Sequence, residues 1–171
     1  MEAIAVCLIN SYANPEHEQL IAEVVSQKAA DLPLCISSDV LPEMKEYERT
    51  STTVINAYVL PVVATYLSAL RKGLDKGGIS VPIYLMQSNG GLTTSEAASR
   101  LPMHIIESGP AGGVIGSQSI ANASGIENVI TFDMGGTTAK TSMITRGEVT
   151  RALDMQVGGG IMHGSRLMTG A

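Results

Sequence analysis

The sequence predicts an α/β fold, and three observations carry that reading. Apolar runs at 3–9, 34–36, 81–86 and 128–132 have the length of strands and are separated by segments with helical periodicity. Capping and turn residues punctuate most of the joins. Apolar residues make up 44% of the 171 positions and charged residues 16%, enough for a packed core and too apolar for a disordered tail.

Residues 3–9 form a continuous apolar run, suited to a strand covered on both faces. Asn14, Pro15, Glu16 and Glu18 then mark a helix start: a capping side chain, proline at the first helical position, and acids near the positive end of the dipole. That helix places Leu20, Ile21, Val24 and Val25 on one stripe. Leu34, Cys35 and Ile36 read as a second buried strand, so strand, helix and strand imply a parallel βαβ unit. The charged stretch 42–49 reads as loop. A long helix is expected from about Ser51 to Leu74, kinked or divided at Pro61 and stopped by Gly77 and Gly78. Positions 50–70 carry no charge, yet the hydroxyls at 50–53, Asn56 and Pro61 favour a buried helix of a soluble protein over a membrane span.

Residues 81–86 form the next apolar strand, and Asn89, Gly90 and Gly91 a turn. Thr93 with Glu96 resembles a capping box opening a short helix. Residues 103–106 read as a short strand. Ser108, Gly109 and Pro110 open a helix of small residues that reaches about Ala123 and ends at Gly125. A strand at 128–132, a tight turn at 133–137 and a returning strand at 140–144 follow. Arg146 and Gly147 turn again, and Gly158, Gly159 and Gly160 dominate the tail. Met86, Met103 and Met143 fit core positions on strands, with Met134 packed beneath the turn.

Several function classes are disfavoured at this stage. Eleven basic against sixteen acidic residues give a net charge of −5 with no basic run, which argues against a nucleic-acid partner. Trp is absent and Phe occurs once, so base-stacking platforms are poorly supported. Cys7 and Cys35 sit in apolar runs and read as buried thiols rather than a disulfide framework. With no secretory leader pattern and no membrane span, the expected location is the cytoplasm. His17, His104 and His163 stand at no metal-ligand spacing, and neither a nucleophile elbow nor a P-loop nor a dinucleotide fingerprint occurs.

The sharpest chemical signal lies at 131–144, TFDMGGTTAKTSMI. An apolar strand delivers Asp133, two glycines make a tight turn, two threonines follow, and an apolar strand returns. Gly135 and Gly136 lack a Cβ, so their amides can approach phosphate oxygens closely. Thr137 and Thr138 add hydroxyls, and Asp133 offers a hard oxygen to Mg²⁺, directly or through water. A plain hairpin with Asp133 capping its turn is the competing reading. The leading acid, the paired threonines and the apolar strands favour phosphate. Lys140 reads equally as a phosphate contact or a solvated strand residue. The segment GPAGGVIG at 109–116 serves either close packing or anion contact through the amino end of its helix.

The stretch 131–144 resembles the second phosphate motif of the actin-like ATPase superfamily. More narrowly, the chain resembles the ATP-dependent hydantoinase A/5-oxoprolinase family. The resemblance extends through AVCLINSYANPEHE at 5–18, EYERTSTTVINAYVLP at 46–61, MQSNGGLTTSEAA at 86–98 and SGPAGGVIG at 108–116, in family order. It implies an internal fragment of an actin-like (RNase H-like) ATPase fold. Residues 1–108 would be the later part of the first lobe, 109–127 a connecting helix, and 128–171 the start of the second lobe.

The same resemblance implies ATP and Mg²⁺ as cofactors and a small cyclic amide, of hydantoin or 5-oxoproline type, as substrate. The amide oxygen would be phosphorylated to make the ring susceptible to water. Asp133 is carried over as the metal-associated carboxylate, and Gly135, Gly136, Thr137 and Thr138 as phosphate contacts. Ala139 and Lys140 stand where many relatives place an acid, and the superfamily's first acid-Gly-Gly-Thr turn does not occur before Asp133. Expected partners are the remainder of a longer polypeptide and a second hydantoinase-type subunit. A ketone carboxylase subunit of the same family, or a non-catalytic nucleotide-gated module, are the alternatives.

Overall fold

The computed structural model describes residues 2–136, 138–157 and 160–167. The chain forms two compact units. The first is built mainly from residues up to Ile83 with Ser95–Met103, the second from Tyr84–Thr94 and His104–Asp154.

In the first unit, β1 (Ile4–Val6) pairs in parallel with β2 (Leu34–Ile36), Ile4 opposite Leu34 and Val6 opposite Ile36. Helix α1 (Glu16–Lys28) makes the crossover, so the βαβ unit forms as expected. Strand β1 is shorter than the apolar run and pairs with β2 alone among the described residues, leaving Ala5 exposed rather than covered on both faces. Asn14 Oδ1 accepts the Glu16 N–H at 3.0 Å, ahead of the first turn. The inward face of α1 carries Glu18, Ile21, Ala22 and Val25, while Leu20 and Val24 face outward. The expected stripe is therefore rotated, because Glu18 is anchored inside: its carboxylate accepts the N–H groups of Leu8 and Ser38, each at 2.8 Å, and the Ser37 hydroxyl at 2.7 Å.

After the single turn of α2 (Ser37–Val40) comes α3 (Glu46–Lys76), which starts about five residues before its expected position. Arg49 explains the early start. Its guanidinium is buried, donates to the Glu43 and Leu8 carbonyls at 2.8 Å each, and lies over the Tyr12 ring. Residues 46–49 thus become the first turn of the helix, while 42–45 stay outside it, as expected of the charged stretch. α3 is assigned continuously through Pro61. It is not a buried apolar helix. Thr52, Thr53 and Asn56 are fully inside, whereas Val54, Tyr58, Val62 and Tyr66 face outward.

By length and composition α3 could cross a membrane. Its inward side, though, is tied to protein. Asn56 Nδ2 donates to Cys35 Sγ at 3.3 Å and to the Arg100 carbonyl at 3.2 Å, while its Oδ1 accepts the Met103 N–H at 3.2 Å. At the carboxyl end Gly78 adopts φ +76° and Ile79 N–H returns to the Leu74 carbonyl, the helix stop expected of the two glycines. Helix α4 (Ser95–Arg100) and a 3₁₀ turn at Pro102–Ile105 follow in the chain. That turn replaces the expected strand at 103–106. Met103 is buried there and held by Asn56, which fixes a turn rather than an extended segment.

In the second unit β3 (Tyr84–Met86) and β4 (Leu92–Thr94) form an antiparallel hairpin across Asn89, Gly90 and Gly91. Thr93 is taken into this ladder opposite Leu85, so the expected Thr93–Glu96 capping box does not form and α4 opens at Ser95. Helix α5 (Ser108–Ala123) ends as expected, with Gly125 at φ +70° and Ile126 N–H bonded to the Ala121 carbonyl. β5 (Val129–Met134), β6 (Ala139–Thr145) and β7 (Glu148–Val149) form one antiparallel sheet in that order. Ala111 and Val114 of α5 pack with Ile115 and Val149 as the core of this unit. Outside this division of the chain, β8 (Arg151–Val157) and β9 (Gly160–Leu167) pair with each other, so the glycine-rich tail carries strand structure; Gly158 and Gly159 lie outside the described residues.

Candidate functional site

The hairpin β5–β6 places the predicted phosphate motif at its tip. Its register pairs Thr131 with Ser142, Asp133 with Lys140, and Met134 with Ala139. Directly opposed residues share a face of the sheet. Thr131, Asp133, Lys140 and Ser142 therefore line one side, and Pro110, Gly113 and Ser117 of α5 stand across from them. Between the two runs a cleft of about 240 Å³. This is below the roughly 300–1,000 Å³ of ordinary small-molecule sites, a space for part of a ligand.

Each predicted site residue has a definite place except one. Asp133 is exposed and lines the cleft. Gly135 closes the turn, its N–H donating to the Thr138 carbonyl at 3.0 Å. Gly136 and Thr138 are exposed at the tip, and a Cβ on Gly136 would meet nothing within 4 Å, so the tip is open to an approaching group. Thr137 lies outside the described residues. Lys140 is half-buried and lines the cleft, its Nζ bonded to Glu107 Oε2. The expectation that Met134 and Met143 pack inside fails. Both lie on the outer face of the hairpin with Ile130 and Phe132, and all four are more than half exposed. The two-residue period that turns Asp133 inward turns its neighbours outward.

Glu107 went unread in the sequence, although it immediately precedes the Ser108-Gly109-Pro110 opening of α5. It is the residue ahead of the first turn and has a left-handed backbone, φ 64° and ψ 22°. No side-chain hydrogen bond caps this end of α5. Only the fold reveals the partnership with Lys140, 33 positions away.

The cleft's donor set suits a metal-bearing phosphate chain. It combines one accessible carboxylate, one ammonium group, hydroxyls and a glycine turn with open space before it. Among the described residues no cluster of three His, Cys, Asp or Glu could hold a metal by protein ligands alone. Mg²⁺ is commonly held by one or two carboxylates together with phosphate oxygens and water, and Asp133 is the accessible carboxylate of this cleft. A larger cleft of about 360 Å³ in the first unit has walls of Leu34, Ile36, Val40, Leu60 and Leu101. Its polar lining includes Asp39, Ser99 and Arg100, and its buried Asn56 amide is already bonded to Cys35, Arg100 and Met103.

A family model described as Hydantoinase/oxoprolinase matches residues 49–170. The chain is 39% identical to an uncharacterised protein of Methanocaldococcus jannaschii over 170 residues, covering 99% of this chain and 25% of that protein. It is 35% identical over 154 residues to the caprolactamase subunit alpha of Pseudomonas jessenii, covering 90% of this chain and 22% of that subunit. Among solved structures, a nucleotide-free acetone carboxylase superposes with a TM-score of 0.87 at 29% identity, over 99% of this chain and 24% of that one. The chain thus spans about a quarter of the length of these two relatives.

Proposed function

The chain belongs to the hydantoinase/oxoprolinase family, and from that premise we propose that it contributes the phosphate-binding hairpin of an ATP-dependent enzyme that opens a cyclic amide. The observation that carries this reading is the Asp133–Lys140 pair lining a cleft at a glycine turn, within a segment similar to a caprolactamase subunit. On this proposal the two units are parts of an actin-like ATPase fold working in the cytoplasm, where nucleotide and magnesium are available.

Asp133 would hold Mg²⁺, while Gly136, Thr138 and Lys140 would meet the phosphate chain. ATP, when bound, supplies a phosphoryl group to the amide oxygen, turning a poor electrophile into one that water can attack. The residues of this chain contribute charge and position. Lys140 offsets negative charge beside the phosphates, the open tip at Gly136 admits them closely, and the α5 wall limits where they rest. Residues that bind the amide and activate water belong to the rest of the polypeptide or to another subunit.

A test is ADP release by the full-length protein with Mg²⁺ and a hydantoin, 5-oxoproline or a lactam. Release in proportion to one of these is expected. Asp133→Ala should abolish that turnover, by about a hundredfold or more, with the melting temperature retained because the side chain is exposed. Unchanged turnover would remove Asp133 from the mechanism. The acetone carboxylase superposition favours a second reading, a ketone carboxylase subunit. ADP release that requires a ketone with bicarbonate, and ignores amides, would establish it instead.

A further inference from the structure

A hairpin turn needs no partner outside its own strands, yet Lys140 is engaged by Glu107 from the start of α5. Two features mark this contact as more than a surface ion pair. Both side chains are largely shielded, Lys140 at 22% and Glu107 at 32% exposure. Glu107 also occupies a left-handed backbone that favours glycine and disfavours a residue bearing a side chain. A carboxylate is thus held at an unfavourable backbone position and directed at the ammonium group that lines the cleft. On the opposite strand stands Asp133. The three groups together carry a net charge of −1, so Lys140 as it stands is no open anion site.

We infer that Glu107 is the resident counter-ion of Lys140, given up when a phosphate chain enters the cleft. The inference rests on the reading of the cleft as a polyphosphate site. Without a ligand, Glu107 keeps a partly desolvated ammonium group paired, which an uncompensated charge would make costly. With a ligand, phosphate oxygens replace the carboxylate on Lys140. The excess negative charge then selects against stray anions, and it favours a chain that brings its own divalent cation to Asp133. Glu107 is accordingly a positioning residue. It sets how strongly the cleft discriminates between metal-free and metal-bearing phosphate.

The test is calorimetric binding of pyrophosphate and of ATP to the full-length protein, each with and without Mg²⁺. The proteins compared are wild type, Glu107→Gln, Glu107→Gly, Lys140→Met, Asp133→Ala and the double variant E107Q/K140M. Glu107→Gly guards against a folding failure, because the left-handed backbone accepts glycine without strain. Removing the carboxylate should tighten metal-free pyrophosphate by roughly threefold to tenfold and reduce the gain produced by Mg²⁺. Lys140→Met should weaken both ligands, and in the double variant the effect of E107Q should vanish. If Lys140→Met weakens binding while neither Glu107 variant tightens it, the counter-ion role is wrong and the phosphate site stands. If Lys140→Met and Asp133→Ala both leave the ligands unaffected, the phosphate site itself is wrong.

Discussion

Glu18 has no exposed surface, although it sits in the first turn of a helix where an acid would ordinarily face water. Burial pushes its carboxyl group up, but the Ser38 and Leu8 N–H groups and the Ser37 hydroxyl outweigh this and hold it below the usual glutamate range. Ser37 is in turn within hydrogen-bond distance of the Ser11 hydroxyl, at 3.0 Å, so one carboxylate ties together the ends of β1, α1 and β2. A carboxyl group more acidic in the folded than in the unfolded state stabilises the fold above its unfolded pKa. That contribution is lost as pH falls from there through the folded value. Glu18→Gln should cost about 2–4 kcal/mol at neutral pH, because its amide presents donors to donors. Urea unfolding across pH 3 to 7 checks both parts: the wild type should weaken toward acid more steeply than the variant, and equal slopes would exclude Glu18 as the source. The sequence showed this residue only as an acid suited to a helix dipole. Its hydrogen-bond partners lie 10 to 20 positions away, beyond the reach of local pattern. The thiols divide in a similar way. Cys35 is buried and its pKa is raised by that burial, as an apolar run suggests. Cys7 is half-buried; burial raises its pKa too, but hydrogen bonds from Ser37, Thr50 and Arg49 bring it below its ordinary value.

Helix ends marked by glycine were legible, as was the apolar strand at 34–36. Gly78 and Gly125 both adopt the left-handed conformation that ends a helix, and both could be named in advance because glycine is favoured for a single physical reason. At Gly125 a Cβ would meet nothing within 4 Å, so steric crowding adds nothing to the backbone term. Gly125→Ala should therefore cost about 1 kcal/mol, measured by chemical denaturation with m unchanged. A loss above about 3 kcal/mol would mean that the helix end has a further role. By contrast, β4 and the 3₁₀ turn at Pro102–Ile105 were missed or misassigned, and each is only three or four residues long. At that length no period can be read. Leu92 and Thr94 are exposed, so no alternation of burial marks β4 as apolar, and its ladder with β3 is set by the turn at Asn89–Gly91. The β5–β6 hairpin was legible because strand, glycines and returning strand are contiguous. Glu107 was not, because its partner is remote.

Among the described residues the apolar surface is distributed in a way that sequence periodicity did not anticipate. Val54, Tyr58, Val62 and Tyr66 recur every four residues along α3 and are 51–83% exposed, while Thr52, Thr53 and Asn56 are inside. In the other unit Ile130, Phe132, Met134 and Met143 share the outer face of the hairpin at 59–73% exposure. Polar groups occupy the interior because they find hydrogen bonds there, so apolar side chains on the opposite faces are left to water. Contiguous exposed apolar faces of this kind mark contact surfaces or sites of association. The 171-residue chain prepared alone should therefore self-associate, sedimenting above its monomer mass in a concentration-dependent way. Tyr58→Lys and Phe132→Lys, one on each face, should each lower that association and together restore the monomer. Neither should move the melting temperature by more than a few degrees, since exposed substitutions typically change stability by about 0.5 kcal/mol or less. A wild-type chain that stays monomeric up to sub-millimolar concentration would show that these faces are too small or too divided to drive contact. Equal association in the double variant would place the contact elsewhere.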